Sequence, residues 1–336
     1  MTQDVADVTV VVVNCNGGAD LGDCLVSLSR SEPSPKEVVV VDNGSSDDSL
    51  EVAQNLSNDF RELKVIPLST NQGLNVARNV GIEHATGKVV AFIDNDARAE
   101  RDWIQRALDT MEQTGADAVQ CKLLLAHDPT LVDSIGYLIG PFGFPRQLLR
   151  PGAPEDESAV EPRYLFGAKG AGMMFRRDAL LQIGGFDPSF FLYGDETELF
   201  WRIFRMGGVV ALAPQSVILH NSGGTRRFLS SAADDLLYRG GTRNYIRMIA
   251  KNQHPRRVLF DVFGQVSVWL AVAAYQATTG RRRAARLIMK GIAEAVRELP
   301  SLHRLRVEDE LPFRIVPKSL KARVTVSYLG EIKRAI

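Results

Sequence analysis

The sequence predicts an α/β fold: a doubly wound, mainly parallel sheet flanked by helices, followed by a basic helical C-terminal extension. Three observations carry that expectation. Apolar and β-branched runs recur at Val8–Val13, Glu37–Val41, Lys64–Leu68 and Val89–Ile93, each the length of a buried strand. Segments with helical spacing of apolar residues stand between them, and such alternation implies parallel strands joined by crossover helices. Charge is unevenly shared: His254–Ile336 holds 16 Lys+Arg against 7 Asp+Glu, whereas 1–253 holds 24 against 33, although the whole is formally neutral. The chain of 336 residues, 45% hydrophobic and 24% charged, can bury an ordinary core. We therefore expect a catalytic domain over 1–253 and a basic helical region over 254–336.

The elements follow in order. The first strand ends in Asn14-Cys15-Asn16-Gly17-Gly18, a turn that leads into an amphipathic helix over about Leu21–Arg30. Pro33 and Pro35 break it before the second strand. That strand ends in Asp42–Asp48, where Asp47 and Asp48 are good cap residues for a helix to about Asn55. After the third strand, Asn71-Gln72-Gly73 turns into a helix over Asn75–His84, which Thr86-Gly87 stops. The fourth strand precedes a helix over Asp102–Gln113 and a strand over Ala118–Lys122. Arg146–Glu161 reads as a mobile loop, of the kind that serves as a lid or acceptor loop. The glycines of Phe166–Phe175 lack the strand-then-helix context of a dinucleotide fingerprint and instead let a substrate approach a strand backbone. A helix from Arg177, a turn at Gly184–Pro188, a helix ending near Met206 and two short strands, Val209–Ala213 and Ser216–Leu219, complete the domain.

The chemistry centres on Val89-Val90-Ala91-Phe92-Ile93-Asp94-Asn95-Asp96-Ala97. Alternate residues of an extended segment point the same way, so Asp94 and Asp96 project together from the strand's C-terminal end. That edge of an open parallel sheet is where α/β proteins hold ligands. Two carboxylates so close need a neutralising cation, and hard oxygen donors suit Mg²⁺ or Mn²⁺. The alternative is a polar turn capping a core strand. Cys15, Cys24 and Cys121, odd in number and widely spaced, suggest reduced thiols and a cytoplasmic setting. Asp4 and Asp7 precede the first strand with no basic, leader-like run, so no secretory signal is expected.

Val10–Gly17, Val39–Asp47, Asn71–Gly73 with Ala77–Gly81, and Asp94-Asn95-Asp96 resemble the successive blocks of family 2 glycosyltransferases. The resemblance covers about Val8 to Gly224 and is nearest the rhamnosyltransferase-like members of polysaccharide or glycolipid assembly. It implies a GT-A fold and inverting, metal-dependent transfer of a rhamnose-like or other hexose from a nucleoside-diphosphate sugar. The acceptor would be a hydroxyl of a glycan or polyprenyl-linked glycan in cell-surface polysaccharide synthesis. By the same resemblance, Asp96 ligates Mg²⁺ or Mn²⁺, and Asp94 shares the metal or meets the donor ribose. His220 ligates the metal or contacts the diphosphate; a structural hydrogen-bonding histidine is its alternative. Asn14, Asn16 and Asp42 would line the nucleoside pocket, with Asn71, Arg78 and Asn79 on base, ribose or diphosphate. Arg78 otherwise makes a helix-surface ion pair. The general base is Glu196 or, since the two acids stand in swapped order relative to the family, Asp195. Both otherwise complement a helix N-terminus. Glu198 and Arg202 either pair on that helix or contact donor.

A nucleotidyltransferase would want a basic, glycine-rich loop after the first strand, and Asn14–Gly18 has no Lys or Arg. A non-catalytic nucleotide-sugar-binding scaffold is the second alternative. In the tail, Val258–Ala277 is apolar apart from Asp261, Gln265, Ser267 and Gln276, and arginines flank it. Arg286, Lys290 and Arg297 then alternate with apolar residues at helical spacing. We expect peripheral contact with the inner face of the cell membrane rather than a span, the alternative being a helical pair packed on the catalytic domain. No nucleic-acid partner is expected.

Overall fold

A computed structural model describes residues 4–155, 163–191, 193–222, 234–308, 312, 314 and 316–321. The chain divides into two compact units. The first comprises residues up to Tyr137, Gln147–Pro188 and Gly207–Gly224; the second comprises Leu138–Arg146, Ser189–Met206 and Thr225–Ile336.

The first unit is a twisted mixed sheet with helices on its faces. Its strands are β1 (Val5–Asn14), β2 (Ser34–Asp42), β3 (Leu63–Pro67), β4 (Val89–Asp94), β5 (Ala97–Ala99), β6 (Ala118–Leu125) and β7 (Asp128–Ser134). Then come β10 (Ala153–Pro154), β11 (Arg163–Leu165), β12 (Gly172–Arg176) and β13 (Val210–His220), while a two-stranded ribbon, β8 (Tyr137–Ile139) and β9 (Pro145–Gln147), falls largely in the second unit. From edge to edge the main sheet runs β10, β7, β6, β12, β4, β1, β2, β3. β3, β2, β1 and β4 are mutually parallel, as the apolar runs predict. β13 also runs parallel to β6, whereas β12 inserts antiparallel between β4 and β6, and β7, β10, β11 and β5 also pair antiparallel, which makes the sheet mixed. Arg146–Glu161, expected as a loop, carries the end of β9 and all of β10 in its described part; 156–161 lies outside the described residues.

One strand replaces the two expected near the end of this unit. Val210–His220 is continuous, and a register shift against β6 between Ala213 and Val217 absorbs Pro214 and Gln215. A bulge keeps a proline in a strand by leaving its missing donor outside the ladder. β13 therefore carries His220 to the same edge as β6 and β5.

The helices seal the faces for reasons of spacing. In α1 (Gly18–Ser29), Leu21, Cys24, Leu25 and Leu28 form one buried stripe; in α4 (Trp103–Thr114), Trp103, Ile104, Ala107 and Met111 do the same. They close on Val8, Val10, Val12, Val38, Val40, Ala91 and Ile93 to make a continuous core. α2 (Ser49–Asn55), α3 (Leu74–His84) and α5 (Arg177–Gln182) complete the layers. α3 sits close to β1 because Gly81 faces Val11: a Cβ at Gly81 would stand 2.3 Å from the Val11 side chain. Buried Glu37 is satisfied by Thr9, Thr86 and Lys64, which hold its carboxyl down to about 2 against the opposing effect of burial.

The second unit contains α6 (Asp195–Met206), a π-helical stretch Asp235–Gly240, α7 (Gly241–Asn252), α8 (Pro255–Thr278) and α9 (Arg282–Glu308). Its core gathers Phe144, Tyr238, Ile246, Trp269, Ile288 and Ile292. Within α6, the expected Glu198–Arg202 pair forms as a fork, Nε to both carboxylate oxygens at 3.0 Å, and Lys251 and Asn252 of α7 join it. The tail beyond Lys321 lies outside the described residues.

Filling the space between α3 and β1 should be costly. Gly81→Val is expected to destabilise the protein by about 1–3 kcal/mol by overpacking against Val11, seen as a lower urea midpoint with an unchanged slope.

Candidate active site

The C-terminal ends of β1, β2 and β4 bring Asn14, Asp42 and Asp94 to one edge, since Asn14 pairs with Asp42 and Val13 with Asp94 across the parallel ladders. β4 then turns through Asn95 and Asp96 into β5, whose Ala97 pairs with His220 of β13. The Asn221 amide donates to the Asp96 carbonyl at 3.0 Å, which locks the turn to the end of β13. Two chain segments far apart in sequence thus converge on one cluster.

Within it, His220 Nε2 lies 3.3 Å from Asp96 Oδ1 and 3.8 Å from Asp94 Oδ2. Side-chain exposure falls from 36% at Asp94 to 11% at Asp96 and 6% at His220, so the cluster opens to solvent on the Asp94 side. Nδ1 of His220 donates to Asp133 Oδ2 at 2.8 Å, and Lys169 Nζ reaches the same oxygen at 2.7 Å. On the other flank, Arg78 is buried, 3.7 Å from Asp94 Oδ1, with its guanidinium over the Phe186 ring at 5.1 Å. Arg78 is therefore buried beside Asp94 and not on the helix surface.

The electrostatics follow from these neighbours. Burial works against charge on His220, yet Asp133, Asp96 and Asp94 outweigh it and raise its pKa to about 9. Burial opposes ionisation of Asp133, but His220 and Lys169 prevail and hold it down to about 2. Asp96 is likewise held below its usual range, against burial, by His220 and more weakly by Lys169.

The donor set suits a divalent cation. Asp94, Asp96 and His220 each offer one ligand atom, all within 4.8 Å of one another. Donors about 2.1 Å from an octahedral ion lie about 3 Å apart, close to the separations found. Asp133 fixes the imidazole with Nε2 toward the carboxylates, the arrangement usual for a metal-binding histidine. Asp133 and Lys169 were not expected from the sequence. Their only signal was an acid and a base in otherwise apolar or glycine-rich strand flanks.

Beside the cluster, Asn14 acts as a hub. Its Oδ1 accepts from Asn95 at 2.7 Å, and its Nδ2 donates to Asp42 at 3.1 Å and Ser45 at 3.2 Å. Asp42 also accepts from the Ser45 amide at 3.0 Å. Asn16, with φ 54°, accepts from the Ser46 amide at 2.7 Å. Asn43, also unforeseen, ties this edge to the next loop: its Oδ1 accepts from the Gln72 amide and its Nδ2 donates to Asn71. Asn71 is exposed and caps Gly73 at the start of α3. Asn79 has other neighbours, bonding both the amide and the carbonyl of Phe186 at 2.8 Å, so it shapes the Gly184–Pro188 turn under Arg78. Asp47 accepts from the Ser49 amide as a cap and also from Gly18. In the second unit, Asp195 and Glu196 open α6, Asp195 buried and Glu196 half-buried, while Glu198 is engaged by Arg202, Lys251 and Asn252. The turn at 223–224 after His220 lies outside the described residues.

Sheet, strand-end acids and strand-end histidine together define the GT-A class of nucleotide-binding α/β fold. The sequence profile of glycosyl transferase family 2 matches residues 9–184, just over half of the chain, and the chain belongs to that family. It is 36% identical over 121 residues to the glycosyltransferase AglE of Haloferax volcanii, a match covering 35% of this chain and 40% of that one. It is 30% identical over 166 residues to the glucosyl-dolichyl phosphate glucuronosyltransferase of the same organism, covering 48% and 49%. The chain thus spans half or less of these relatives' length. Among solved structures, S. aureus TarS in complex with UDP-GlcNAc superposes with a TM-score of 0.57 at 15% identity, covering 90% of this chain and 88% of that one. The mannosyltransferase PcManGT of Pyrobaculum calidifontis, in complex with GDP-Man and Mn²⁺, gives 0.53 at 20% identity, covering 90% and 84%. GalNAc-T7 with UDP, GalNAc and Mn²⁺ gives 0.56 at 18%, covering 73% and 47%. These likenesses establish the fold.

Imidazole ligates only when its coordinating nitrogen is unprotonated, and His220 with a pKa raised to about 9 carries a proton at neutral pH. Binding of Mn²⁺ at pH 7 should therefore release close to one proton and tighten about tenfold per pH unit up to about 9. Calorimetry in two buffers of different ionisation heat measures both. Asp133→Ala should weaken Mn²⁺ by about 10–100-fold and shrink the proton release; unchanged affinity would remove Asp133 from the site.

Proposed function

We propose that this chain is an inverting, metal-dependent glycosyltransferase that moves a rhamnose-like or other hexose from a nucleoside-diphosphate sugar to an acceptor hydroxyl. The observation that carries the reading is the convergence of Asp94, Asp96 and His220 beside the Asn14–Asp42 hub. Membership of the family supports the reaction class. The Mn²⁺ and nucleotide or nucleotide sugars in the solved structures of like fold support the donor class.

Asp94, Asp96 and His220 would hold Mg²⁺ or Mn²⁺. When bound, that cation supplies Lewis-acid stabilisation of the charge growing on the departing diphosphate. Asp42 accepts a hydrogen bond from the nucleotide base, and Asn14 and Asn16 shape the pocket around it. Arg78 lends a buried positive charge to the diphosphate or ribose, with Asn71 and Asn79 setting the loops beside it. Glu196, or Asp195 next to it, takes the proton of the acceptor hydroxyl as that oxygen attacks the anomeric carbon in line. The C–O bond to the diphosphate breaks as the new one forms, which inverts the configuration.

The acceptor is a glycan or polyprenyl-linked glycan of cell-surface polysaccharide synthesis, met at the cytoplasmic face of the cell membrane. The C-terminal region, 254–336, makes peripheral contact there. Its excess of Lys and Arg over acids supports that placement.

A donor screen tests the reading. Purified protein with Mg²⁺ or Mn²⁺ is offered dTDP-, UDP- and GDP-sugars, and release of nucleoside diphosphate is followed. One donor should turn over in a metal-dependent way, and Asp96→Ala should lose at least about 100-fold, the scale of losing one key electrostatic group. No binding of any nucleotide sugar by calorimetric titration would end the glycosyltransferase assignment.

A further inference from the structure

A surface helix of a soluble protein turns its apolar stripe inward and its polar face to water. α8 does turn Trp269 and Ala273 into the core, but it buries polar groups there too and leaves a second apolar face in water. Its buried side includes Asp261, Gln265 and Gln276. Asp261 accepts from Gln253 at 2.6 Å and from Arg257 at 3.1 Å. Gln265 donates to the Phe142 carbonyl at 2.9 Å and accepts from the Trp269 indole at 3.2 Å. Gly264 brings the helix backbone onto the Phe142 ring, where a Cβ would stand 2.0 Å away. The opposite side is apolar and open: Leu259 is 84% exposed, Phe263 72% and Phe260 61%, with Leu270 and Tyr275 continuing the stripe. Between Arg257 and Arg281 the only charged residue is Asp261, and it faces inward.

We propose that the outer face of α8 docks into the interfacial layer of an anionic lipid bilayer, with the helix axis lying along the membrane plane. The proposal rests on the membrane contact proposed above and names its face and orientation. Three features select a lipid surface. The stripe is bounded by Arg256 and Arg257 at one end and Arg281–Arg283 at the other, so positive charge sits where a headgroup layer would meet both ends. Arg286 and Lys290 of α9, both exposed, extend that charge beside the stripe. The aromatic and aliphatic mix of Leu259, Phe260, Phe263, Leu270 and Tyr275 is the type that partitions at the acyl–headgroup boundary.

Length alone would also allow a span: among the described residues α8 is the one helix long and apolar enough to cross a membrane, and only 28% of its most apolar window is buried. The inner face decides against it. Asp261 and Gln265 are bonded to Gln253, Arg257 and Phe142 of the same unit, and α8 packs along α7 and α9. Spanning would strip Asp261 of Gln253 and Gln265 of the Phe142 carbonyl inside hydrocarbon. One side of the helix is committed to protein, so one side is left for lipid.

Flotation of the full-length protein with phosphatidylglycerol–phosphatidylcholine vesicles tests this. Wild type should float with the mixed vesicles, less with phosphatidylcholine alone, and should be stripped by alkaline carbonate. Phe260→Ser with Phe263→Ser should lower partition at least about tenfold while leaving the melting temperature and Mn²⁺ binding unchanged. Wild type that stays unbound, or that resists carbonate, overturns the proposal. Loss of binding in Arg281→Glu/Arg282→Glu/Arg283→Glu together with full binding by the Phe260/Phe263 variant would keep the membrane contact and overturn this face as its site. A wild-type dimer in light scattering that Phe263→Ser dissociates would assign the face to a second copy instead. Nucleotide-sugar binding, measured on the same samples without vesicles, separates failure of this proposal from failure of the glycosyltransferase assignment.

Discussion

Two carboxylates one residue apart at the end of a buried strand repel each other, and most of the first unit's edge is arranged around holding them there. The solution is an alternation of charge. Arg78 meets Asp94, Asp94 and Asp96 meet His220, His220 meets Asp133, and Asp133 meets Lys169. Each buried charge has an opposite neighbour, the condition under which burial of ions is tolerated. His220 is central because it bonds Asp133 through Nδ1 and turns Nε2 toward Asp94 and Asp96. A proton on that ring offsets the surrounding carboxylates, which is why its pKa is raised. The same geometry makes a cation the natural replacement for that proton.

The backbone supplies the register that this alternation needs. The pairing of Ala97 with His220, and of Val13 with Asp94, sets every distance in the cluster. A one-residue slip in β13 would turn the imidazole to the other face of the sheet. The shift between Ala213 and Val217 lies between the first half of β13, which is in register with the start of β6, and the second half, which delivers His220. A local irregularity thus reconciles core packing with site geometry.

Much of this was legible in the sequence, and the limits have physical reasons. β1, β2 and β4 carry apolar runs that end in Asn or Asp, so both the strands and their polar ends could be read directly. Strand direction could not: Gly172–Arg176 is an apolar run like the others, and its antiparallel insertion between β4 and β6 depends on long-range pairing. Pro214 suggested a break that a bulge removes. Asp133 stayed hidden because its partner is 87 residues away and β7 has no motif of its own. Asn79 looked like a donor contact from its block, yet its amide spans the backbone of Phe186, 107 residues on. Local pattern reveals elements and their ends; it does not reveal which polar groups close a contact across the fold.

The second unit shows how burial sorts candidates that sequence spacing leaves equal. Three acids open α6, and all three complement its N-terminus. Glu198 is fully buried and shared among Arg202, Lys251 and Asn252, so its charge is consumed in holding α6 to α7. Asp261 in α8 is likewise buried and held by Arg257 and Gln253. Both acids are bonded by their neighbours, and both fix which face of their helix belongs to the protein. For α6 that leaves Asp195 and Glu196 as the other acids of its first turn; for α8 it leaves an outer face made of leucine, phenylalanine and tyrosine, which water solvates poorly and a bilayer interface accepts.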